Sequence, residues 1–433
     1  MDAVFLAASV LAVGLIVLLA IGVPIGIAFA VLGVAFIWFY RGTTGVGIVG
    51  DIVWETTTSE TFITVPLFVL MGEILFVSGI GSDIFDVTAK WLGRLPGGLA
   101  AASMVSSCLF GSVCGSSIAT TATIGTVAYP EMRKHGYAEE LCAGILTTGG
   151  GVGILIPPSI PLIIYAIIAE ESVGKMFMAG VVPGLMLTIL PATYVLIYAY
   201  LRPSKAPRAS RVTWKDSFIS LLNLWPLVIL VVSVLGSLYT GLVTPSEAGG
   251  MGCLAAFLIV FTYKRTPLSL VWKGVVKAIS TTAFIIMVLI GAHILNHAIA
   301  WSKIPMAVME LLVYSEAVPA WGVIPLVCAA FFIMGMFMDS LAIMLLVMPT
   351  LMPAAILLGL DPIWLGVIMV LNIEVALLTP PVGLNMFVIQ DISGLSTSKV
   401  ARGVLPFVAV DLVTLILCVA FPILSLWLPS TMG

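Results

Sequence analysis

Charged side chains are scarce in this 433-residue chain: Asp, Glu, Lys and Arg make up only 9% of it, against roughly 25% in soluble domains. Hydrophobic residues make up 61%, and the mean hydropathy is +1.21. A composition so poor in charge excludes a soluble domain and indicates a polytopic membrane protein. Because a span needs roughly 20 apolar residues, the length allows about ten to twelve crossings.

The chain also lacks the motifs of several chemistries. It contains no nucleotide-binding loop of the form G-x-x-x-x-G-K-[ST], so any energy-dependent function would be driven by an ion gradient or by a separate ATPase subunit. The six cysteines form no C-x-x-C pair, which predicts free thiols in apolar surroundings. His293 and His297 lie one helical turn apart, but no third metal ligand is evident. Packing or substrate contact is therefore favoured over metal binding for these histidines.

Prolines and their neighbours recur along the chain at a constant offset of 223 residues, which separates Pro157 from Pro380. Repeated proline breaks inside apolar segments indicate a transporter built from two related halves. We predict halves over residues 1–205 and 215–433, joined by a cytoplasmic linker over 206–214. Further pairs at the same offset are Pro130 and Pro353, Pro158 and Pro381, and Pro183 and Pro406.

Two long apolar runs, 97–131 and 321–358, are each interrupted midway by small or polar residues, which predicts a re-entrant helical hairpin in each half. Basic residues flank the run 97–131 on both sides, so the positive-inside rule places both of its ends in the cytoplasm. The run 321–358 lies between Glu316 and Asp361 with no Lys or Arg close by, so both of its ends are expected outside. The fold prediction is an all-α polytopic membrane protein with two inverted-topology repeats.

Each half should also contain a discontinuous helix, over 138–170 in the first and 363–391 in the second. A break inside a span frees backbone carbonyls and amides, which persist only where protein or a cavity satisfies them. Unwound carbonyls can bind a hard cation such as Na⁺, and the half-helix that follows presents its positive N-terminal end to an anion. The break residues are Gly149 to Gly153 with Pro157-Pro158-Ser159, and Asn372, Thr379, Pro380-Pro381, Gly383 and Asn385.

The hairpin tips supply polar side chains for the same sites. Asp339 lies at the position that matches Ser116, and an acid in an apolar run is by default a functional hypothesis. It could hold a cation or bind substrate hydroxyls, although capping a helix together with Ser340 is an alternative. Glu73 and Glu374 lie within spans and are either paired or protonated. Hydroxyls suited to Na⁺ or to a carboxylate are Ser112, Ser116, Ser117, Thr120 and Thr121.

Two other classes of membrane protein account less well for these features. An intramembrane serine hydrolase would pair Ser116 or Ser117 with a distant histidine, but nothing in the spacing places a base beside the nucleophile. A channel would need a continuous polar pore, whereas the polar residues cluster at two sites. The hydrolase would also leave the internal repeat unexplained.

Five motifs along nearly the whole chain carry a family resemblance: Phe110 to Ser117 with Ala119-Thr120, Gly149 to Ser159, Thr244 to Ala248, Gly335 to Asp339, and Thr379 to Asn385. Together they resemble the large membrane subunit, the DctM type, of the tripartite ATP-independent periplasmic (TRAP) transporters. The resemblance implies an elevator-type transporter in the bacterial or archaeal cytoplasmic membrane. It also implies Na⁺-coupled import of an organic acid such as a C4-dicarboxylate or sialic acid.

The implied partners are a periplasmic substrate-binding protein of the DctP type and a separate small membrane subunit of the DctQ type, in a lipid bilayer and without nucleic acid. A stand-alone ion-coupled carrier of divalent anions with a related fold is the alternative. The resemblance implies that the hairpin tips and the helix breaks form the sodium and substrate sites. Sodium ligands are expected among Ser112, Ser116, Ser117, Gly149, Gly153, Gly335, Asp339, Ser340, Thr379 and Gly383. Substrate contacts are expected from Ser116, Thr120, Pro158, Ser159, Asp339, Pro381 and Asn385.

Overall fold

The computed structural model describes residues 2–209, 213–310, 320–336, 338, 340–380 and 383–432. Within these ranges the regular secondary structure is helical and no β-strand occurs, which confirms the all-α prediction. The six cysteines are free thiols, as predicted.

The first half contains ten helices in its described part. They are α1 (Asp2–Ala20), α2 (Ile25–Val46), α3 (Ile48–Thr58), α4 (Glu60–Val77), α5 (Ile80–Leu92), α6 (Gly98–Cys114), α7 (Ser117–Lys134), α8 (Glu139–Val152), α9 (Ile160–Ile168) and α10 (Val173–Leu201).

The described part of the second half contains twelve α-helices. They are α11 (Trp214–Leu221), α12 (Trp225–Val231), α13 (Ser237–Tyr239), α14 (Pro245–Leu258), α15 (Leu268–Trp301), α16 (Ile304–Met309), α17 (Ala320–Gly335), α18 (Ser340–Leu357), α19 (Pro362–Leu377), α20 (Leu384–Ser393), α21 (Thr397–Ala420) and α22 (Ile423–Leu426).

Six helical segments in the described ranges are long and apolar enough to cross a membrane, or up to eight if each bent pair counts as one span. The six are α2, α10, the run 214–239, the run 245–263, α15 and α21. This number is below the ten to twelve crossings estimated from length. The difference arises because much of the apolar sequence forms short helices: α6, α8, α9, α19 and α20 each have fewer than 18 residues.

The run 97–131 forms two helices that fold back on each other, α6 and α7. The left-handed backbone of Gly115, with φ of 63°, ends α6, and the hydroxyl of Ser116 then accepts the amide of Ala119 at 3.4 Å to start α7. The other ends of the pair lie together. The amide of Gly97 donates to Ala206 O at 3.0 Å, and the amide of Ala138, which follows α7, donates to the neighbouring Lys205 O at 2.9 Å.

The run 321–358 forms the corresponding pair, α17 and α18. Residues near the start of α17 and near the end of α18 line one small cavity together, so this segment also folds back. The pairs are related by the sequence offset: α7 begins at Ser117 and α18 at Ser340, which are 223 residues apart. That the two pairs are re-entrant and enter from opposite faces of the membrane stays a prediction.

The chain is interrupted between helices at both predicted places, and that each pair of helices forms one discontinuous span stays a prediction. The first separates α8 from α9 at residues 153–159, and the second separates α19 from α20 at residues 378–383. Ser159 caps α9 by accepting the amide of Leu162 at 3.3 Å, and Asp361 caps α19 by accepting the amide of Trp364 at 3.0 Å. Gly383 precedes α20 with a left-handed φ of 58°.

Helix packing between the halves is reciprocal. Helix α2 packs on α15 and α4 packs on α14, while α8 packs on α21 and α10 packs on α19. Glycines permit the closest approaches, since a Cβ at Gly26 would meet the Met287 carbonyl oxygen at 2.7 Å and a Cβ at Gly403 would meet the Glu140 carbonyl oxygen at 2.1 Å. Each half therefore supplies one member of every pair, and α8 and α19, which precede the two breaks, each belong to one of these pairs.

Candidate functional site

Four helices begin at one cavity of about 340 Å³. The first residues of α7, α9, α18 and α20 all line it, namely Ser117, Ile160, Ser340 and Leu384. Two of these helices follow the hairpin tips, and two follow the breaks in the discontinuous helices. The two hairpin tips and the two helix breaks therefore meet at this cavity.

The electrostatic character of this cavity comes from the backbone. Unpaired amides and the helix dipole make each N-terminal end partly positive, so four converging ends favour an anion. No basic side chain lines the cavity among the described residues. The polar groups that do so are neutral hydroxyls and one amide, from Ser116, Ser117, Thr281, Ser340 and Asn385.

The C-terminal ends of three helices also reach this cavity. The cavity is also lined by Gly115, Ile154 and Leu377, which lie at or just beyond the C-terminal ends of α6, α8 and α19. The last carbonyls of a helix have no partner within that helix and carry partial negative charge. Helix ends of both polarities therefore meet at this cavity.

A buried polar network connects this wall across the two halves. The Asn385 amide nitrogen donates to Ser117 Oγ at 2.6 Å, and Ser117 Oγ donates to Glu374 Oε1 at 3.1 Å. Asn385 also lies 3.4 Å from the same Glu374 oxygen. Both Glu374 and Asn385 are 1% exposed. The network joins α7 of the first half to α19 and α20 of the second.

Several predicted residues are brought together at the cavity. Ser116 and Ser117 from the first hairpin face Ser340 from the second and Asn385 from the second break. Ser116 and Ser340 were expected from opposite tips, and Asn385 from the break. The structure places these four side chains around one space.

Other predicted residues of the first half lie beside the cavity without lining it. The Ser112 hydroxyl donates to Leu109 O within its own helix at 2.8 Å, and Thr120 Oγ1 donates to Ser116 O at 2.8 Å. Gly149 and Gly153 pack against α6, where a Cβ at these positions would meet Ser107 Oγ at 2.6 Å and Gly111 Cα at 3.1 Å.

The remaining predicted residues are distributed around the breaks. The Pro158 carbonyl lies against Gly115 at the tip of the first hairpin, and Ser159 caps α9. In the second half Gly335 packs on Ala376, and Thr379 Oγ1 donates to Val375 O at 2.7 Å. Gly383 precedes α20. Asp339 and Pro381 lie outside the described residues.

Two parts of the site were not singled out from the sequence. Thr281, Phe284 and Ile285 of α15 close one side of the cavity, and nothing in their local pattern distinguishes them from other residues of an apolar span. Asp411 of α21 is 2% exposed and lies close to Glu374. The rule that marked Asp339, an acid within an apolar run, would also have found Asp411.

The histidine pair contributes to packing. The ring of His293 meets the Phe62 ring edge-on at 6.2 Å, and that of His297 meets the Trp301 ring at 6.4 Å. Among residues that the structure describes, no group of three His, Cys, Asp or Glu side chains is placed to hold a metal ion.

The apolar helices and the central site define a multi-pass membrane transport protein. Residues 12–424 match the family model of the tripartite ATP-independent periplasmic transporter, DctM component. The chain belongs to this family, so the resemblance seen in the motifs is confirmed.

Two relatives and one solved structure illustrate the similarity. The chain is 36% identical over 382 residues to the C4-dicarboxylate TRAP transporter large permease protein DctM of Pseudomonas aeruginosa, covering 88% of each chain. It is 32% identical to the 2,3-diketo-L-gulonate TRAP transporter large permease protein of Escherichia coli, covering 93% of this chain and 94% of that one. The YdaH transporter of Alcanivorax borkumensis aligns with a TM-score of 0.59 at 13% identity over 89% of each chain, and this likeness concerns the fold alone.

These findings establish the chain as a large permease subunit of a TRAP transporter. Its relatives are transport proteins and not enzymes. The serine hydrolase, considered as an alternative from the sequence, is therefore not supported.

Proposed function

We propose that this subunit carries a small organic anion, a carboxylate, across the cytoplasmic membrane of a bacterium or archaeon, driven by an inward Na⁺ gradient. The observation that supports this most directly is the convergence of four helix N-termini on one cavity that has no described basic side chain. The two relatives are named for C4-dicarboxylate and 2,3-diketo-L-gulonate transport, and both of these compounds carry carboxylates.

The dimensions of the cavity suit such a substrate. Its volume of about 340 Å³ lies at the lower end of the range of roughly 300–1,000 Å³ that is usual for small-molecule sites. Backbone amides at the helix ends can bind a carboxylate, and the serine hydroxyls and the Asn385 amide can bind hydroxyl or further carboxylate groups. We favour a C4-dicarboxylate, with a sugar acid or sialic acid as variants of the same chemistry.

Sodium coupling is supported by the three helix C-terminal ends that also meet at the cavity. Carbonyls at the ends of α6, α8 and α19, together with hydroxyls such as Ser116 and Ser117, are the hard oxygen ligands that Na⁺ prefers. A bound Na⁺ would lie next to the anion and offset its charge. Asp339 and Pro381 keep their proposed roles on sequence grounds.

The reciprocal packing and the nearly constant offset between the starts of the corresponding helices in the hairpins and at the breaks support two inverted repeats, residues 1–205 and 215–433. In this arrangement the hairpins and broken helices form a transport unit that slides against α2, α4, α14 and α15, as in an elevator mechanism. The family name describes a tripartite transporter. We therefore propose a periplasmic binding protein and a small membrane subunit as the partners.

Uptake of radiolabelled succinate into proteoliposomes tests the proposal. Uptake should need an inward Na⁺ gradient, the small subunit and the loaded binding protein. Uptake that ignores Na⁺ would refute the coupling, and uptake by this chain alone would favour a stand-alone anion carrier.

The substitution Asn385→Ala tests the site itself. It removes the buried amide that donates to Ser117 and Glu374. Leaving these buried acceptors without that donor costs about 1–3 kcal/mol. The Na⁺ concentration for half-maximal uptake should rise roughly tenfold or more. Ser82→Ala on α5, whose hydroxyl donates to Gly79 O at the surface, is the control and should leave it unchanged.

A further inference from the structure

A second, smaller space lies behind Glu374, away from the substrate cavity. It is enclosed by α8, α10, α19 and α21. Its polar lining groups among the described residues are one hydroxyl and two carboxyls, from Thr148, Glu374 and Asp411. The other lining residues are Gly151, Val152, Leu187, Val375 and Leu378.

Three oxygens around this space have no hydrogen-bond partner. They are Thr148 Oγ1, Glu374 Oε2 and Asp411 Oδ1. The side chains are buried, with Thr148 and Asp411 2% exposed and Glu374 1% exposed. Buried polar groups are ordinarily paired, so three unpaired oxygens at one place point to a missing ligand.

The two carboxyls at this place have no cationic partner among the described side chains. None of the ion pairs among the described residues includes Glu374 or Asp411. The four surrounding helices bring no basic side chain to the lining, and the groups that bind Glu374 on its other side, Ser117 and Asn385, are neutral. An uncompensated buried carboxylate costs several kcal/mol, which a cation would offset.

We propose that Thr148, Glu374 and Asp411 bind a Na⁺ ion at a site separate from the hairpin tips. The inference rests on the proposed Na⁺ coupling and extends it by one ion. The small size of the space decides the class of cation. Magnesium usually keeps several of its water molecules and calcium takes six to eight oxygen ligands, which a small space with three free side-chain oxygens does not provide, so a monovalent ion fits it better.

Glu374 connects this ion to transport. Its Oε1 accepts from Ser117 in the wall of the larger cavity, while its Oε2 has no hydrogen-bond partner and the residue also lines the enclosed space. A cation on one side of this carboxylate changes the charge that the other side presents to Ser117 and Asn385. Breaking the hydrogen bond between Asn385 and Ser117 would also open a polar route from the larger cavity to the proposed ion.

Thermal unfolding of the purified complex distinguishes a cation site from a structural acid. In Na⁺-free buffer Asp411→Asn should melt at a higher temperature than the wild type, because the isosteric amide removes an unpaired charge. Added Na⁺ should raise the wild-type melting temperature more than that of the variant. Glu139→Gln is the control, since this exposed carboxyl pairs with Arg133 and Lys399 and should leave the Na⁺ response unchanged.

Equilibrium binding of ²²Na⁺ to the same complexes gives the second measurement. Asp411→Asn should bind one Na⁺ fewer than the wild type, whereas Ser116→Ala should weaken binding at a tip and leave this ion in place. Equal Na⁺ binding and equal Na⁺ response in Asp411→Asn and wild type would overturn the inference and leave the proposed function intact. Absence of any Na⁺ binding to the wild type would refute the coupling and this site with it.

Discussion

The glycine at the tip of the first hairpin offers a sharp test of how the site is held together. Gly115 has a left-handed backbone, and a Cβ there would lie 2.7 Å from the carbonyl oxygen of Pro158 in the adjacent helix break. Gly394 makes a matched control. It also ends a helix with a left-handed backbone, its amide donates to Gln390 O as that of Gly115 does to Gly111 O, and its Cβ position has no atom within 4 Å.

The two alanine variants should share one cost and differ in another. Each loses about 1–2 kcal/mol because alanine is strained in the left-handed region. In Gly115→Ala the Pro158 oxygen must also withdraw by about 0.7 Å, from 2.7 Å to an ordinary contact of 3.4 Å. Binding sites generally need their groups held within about 0.5 Å. This displacement would move the tip of the first hairpin away from the first helix break at the cavity.

We expect both variants to fold and to melt at somewhat lower temperatures than the wild type. In the proteoliposome assay Gly394→Ala should transport normally. Gly115→Ala should need at least about tenfold more Na⁺ for half-maximal uptake, which corresponds to about 1.4 kcal/mol. Equal transport by the two variants would refute the view that contact between the first hairpin and the first break sets the geometry of the ion site.

Two further predictions concern topology and stability. Single cysteines at the exposed positions Lys134 and Asp361, in a background without the native thiols, should be labelled from opposite sides of the membrane, and labelling from one side would exclude inverted repeats. Tyr165→Phe should lower the melting temperature, because the buried hydroxyl donates to Pro362 O at 2.6 Å and its loss costs about 1–3 kcal/mol. An equal effect of Tyr200→Phe, at a position that is 80% exposed, would contradict that explanation.

Local sequence predicts the interruptions of the helices well, because their causes are local. Glycine at a left-handed position ends α6, and serine or aspartate at a cap starts α9 and α19. Proline pairs lie within or beside the breaks, and the 223-residue offset predicts the second set from the first. The approximate bounds of the hairpins and broken helices follow from these signals.

Contacts between side chains of the two halves could not be predicted in this way. Ser117 and Glu374 are 257 residues apart, and their hydrogen bond depends on how α7 docks against α19. The sequence also does not specify which face of a helix meets the cavity. For this reason Ser112 and Ser117 were equivalent candidates, although the hydroxyl of Ser112 bonds within its own helix and that of Ser117 faces Glu374.

In the proposed two-repeat arrangement, the 223-residue offset also explains why the acidic pair occurs once. It matches Glu374 with Gly151, and these two residues touch: a Cβ at Gly151 would lie 2.3 Å from Glu374 Oε1. Residues that are equivalent in two repeats can meet only close to the axis that relates the repeats. At such a point there is room for one side chain and not for two, so glycine in the first half provides the space that the glutamate occupies. Asp411 matches Thr188 at the same offset, so its carboxyl is likewise confined to one half. The larger cavity draws on both halves alike, whereas the two buried carboxyls behind it belong to the second half alone. The charge of the proposed cation would therefore be offset by acidic groups of one half only.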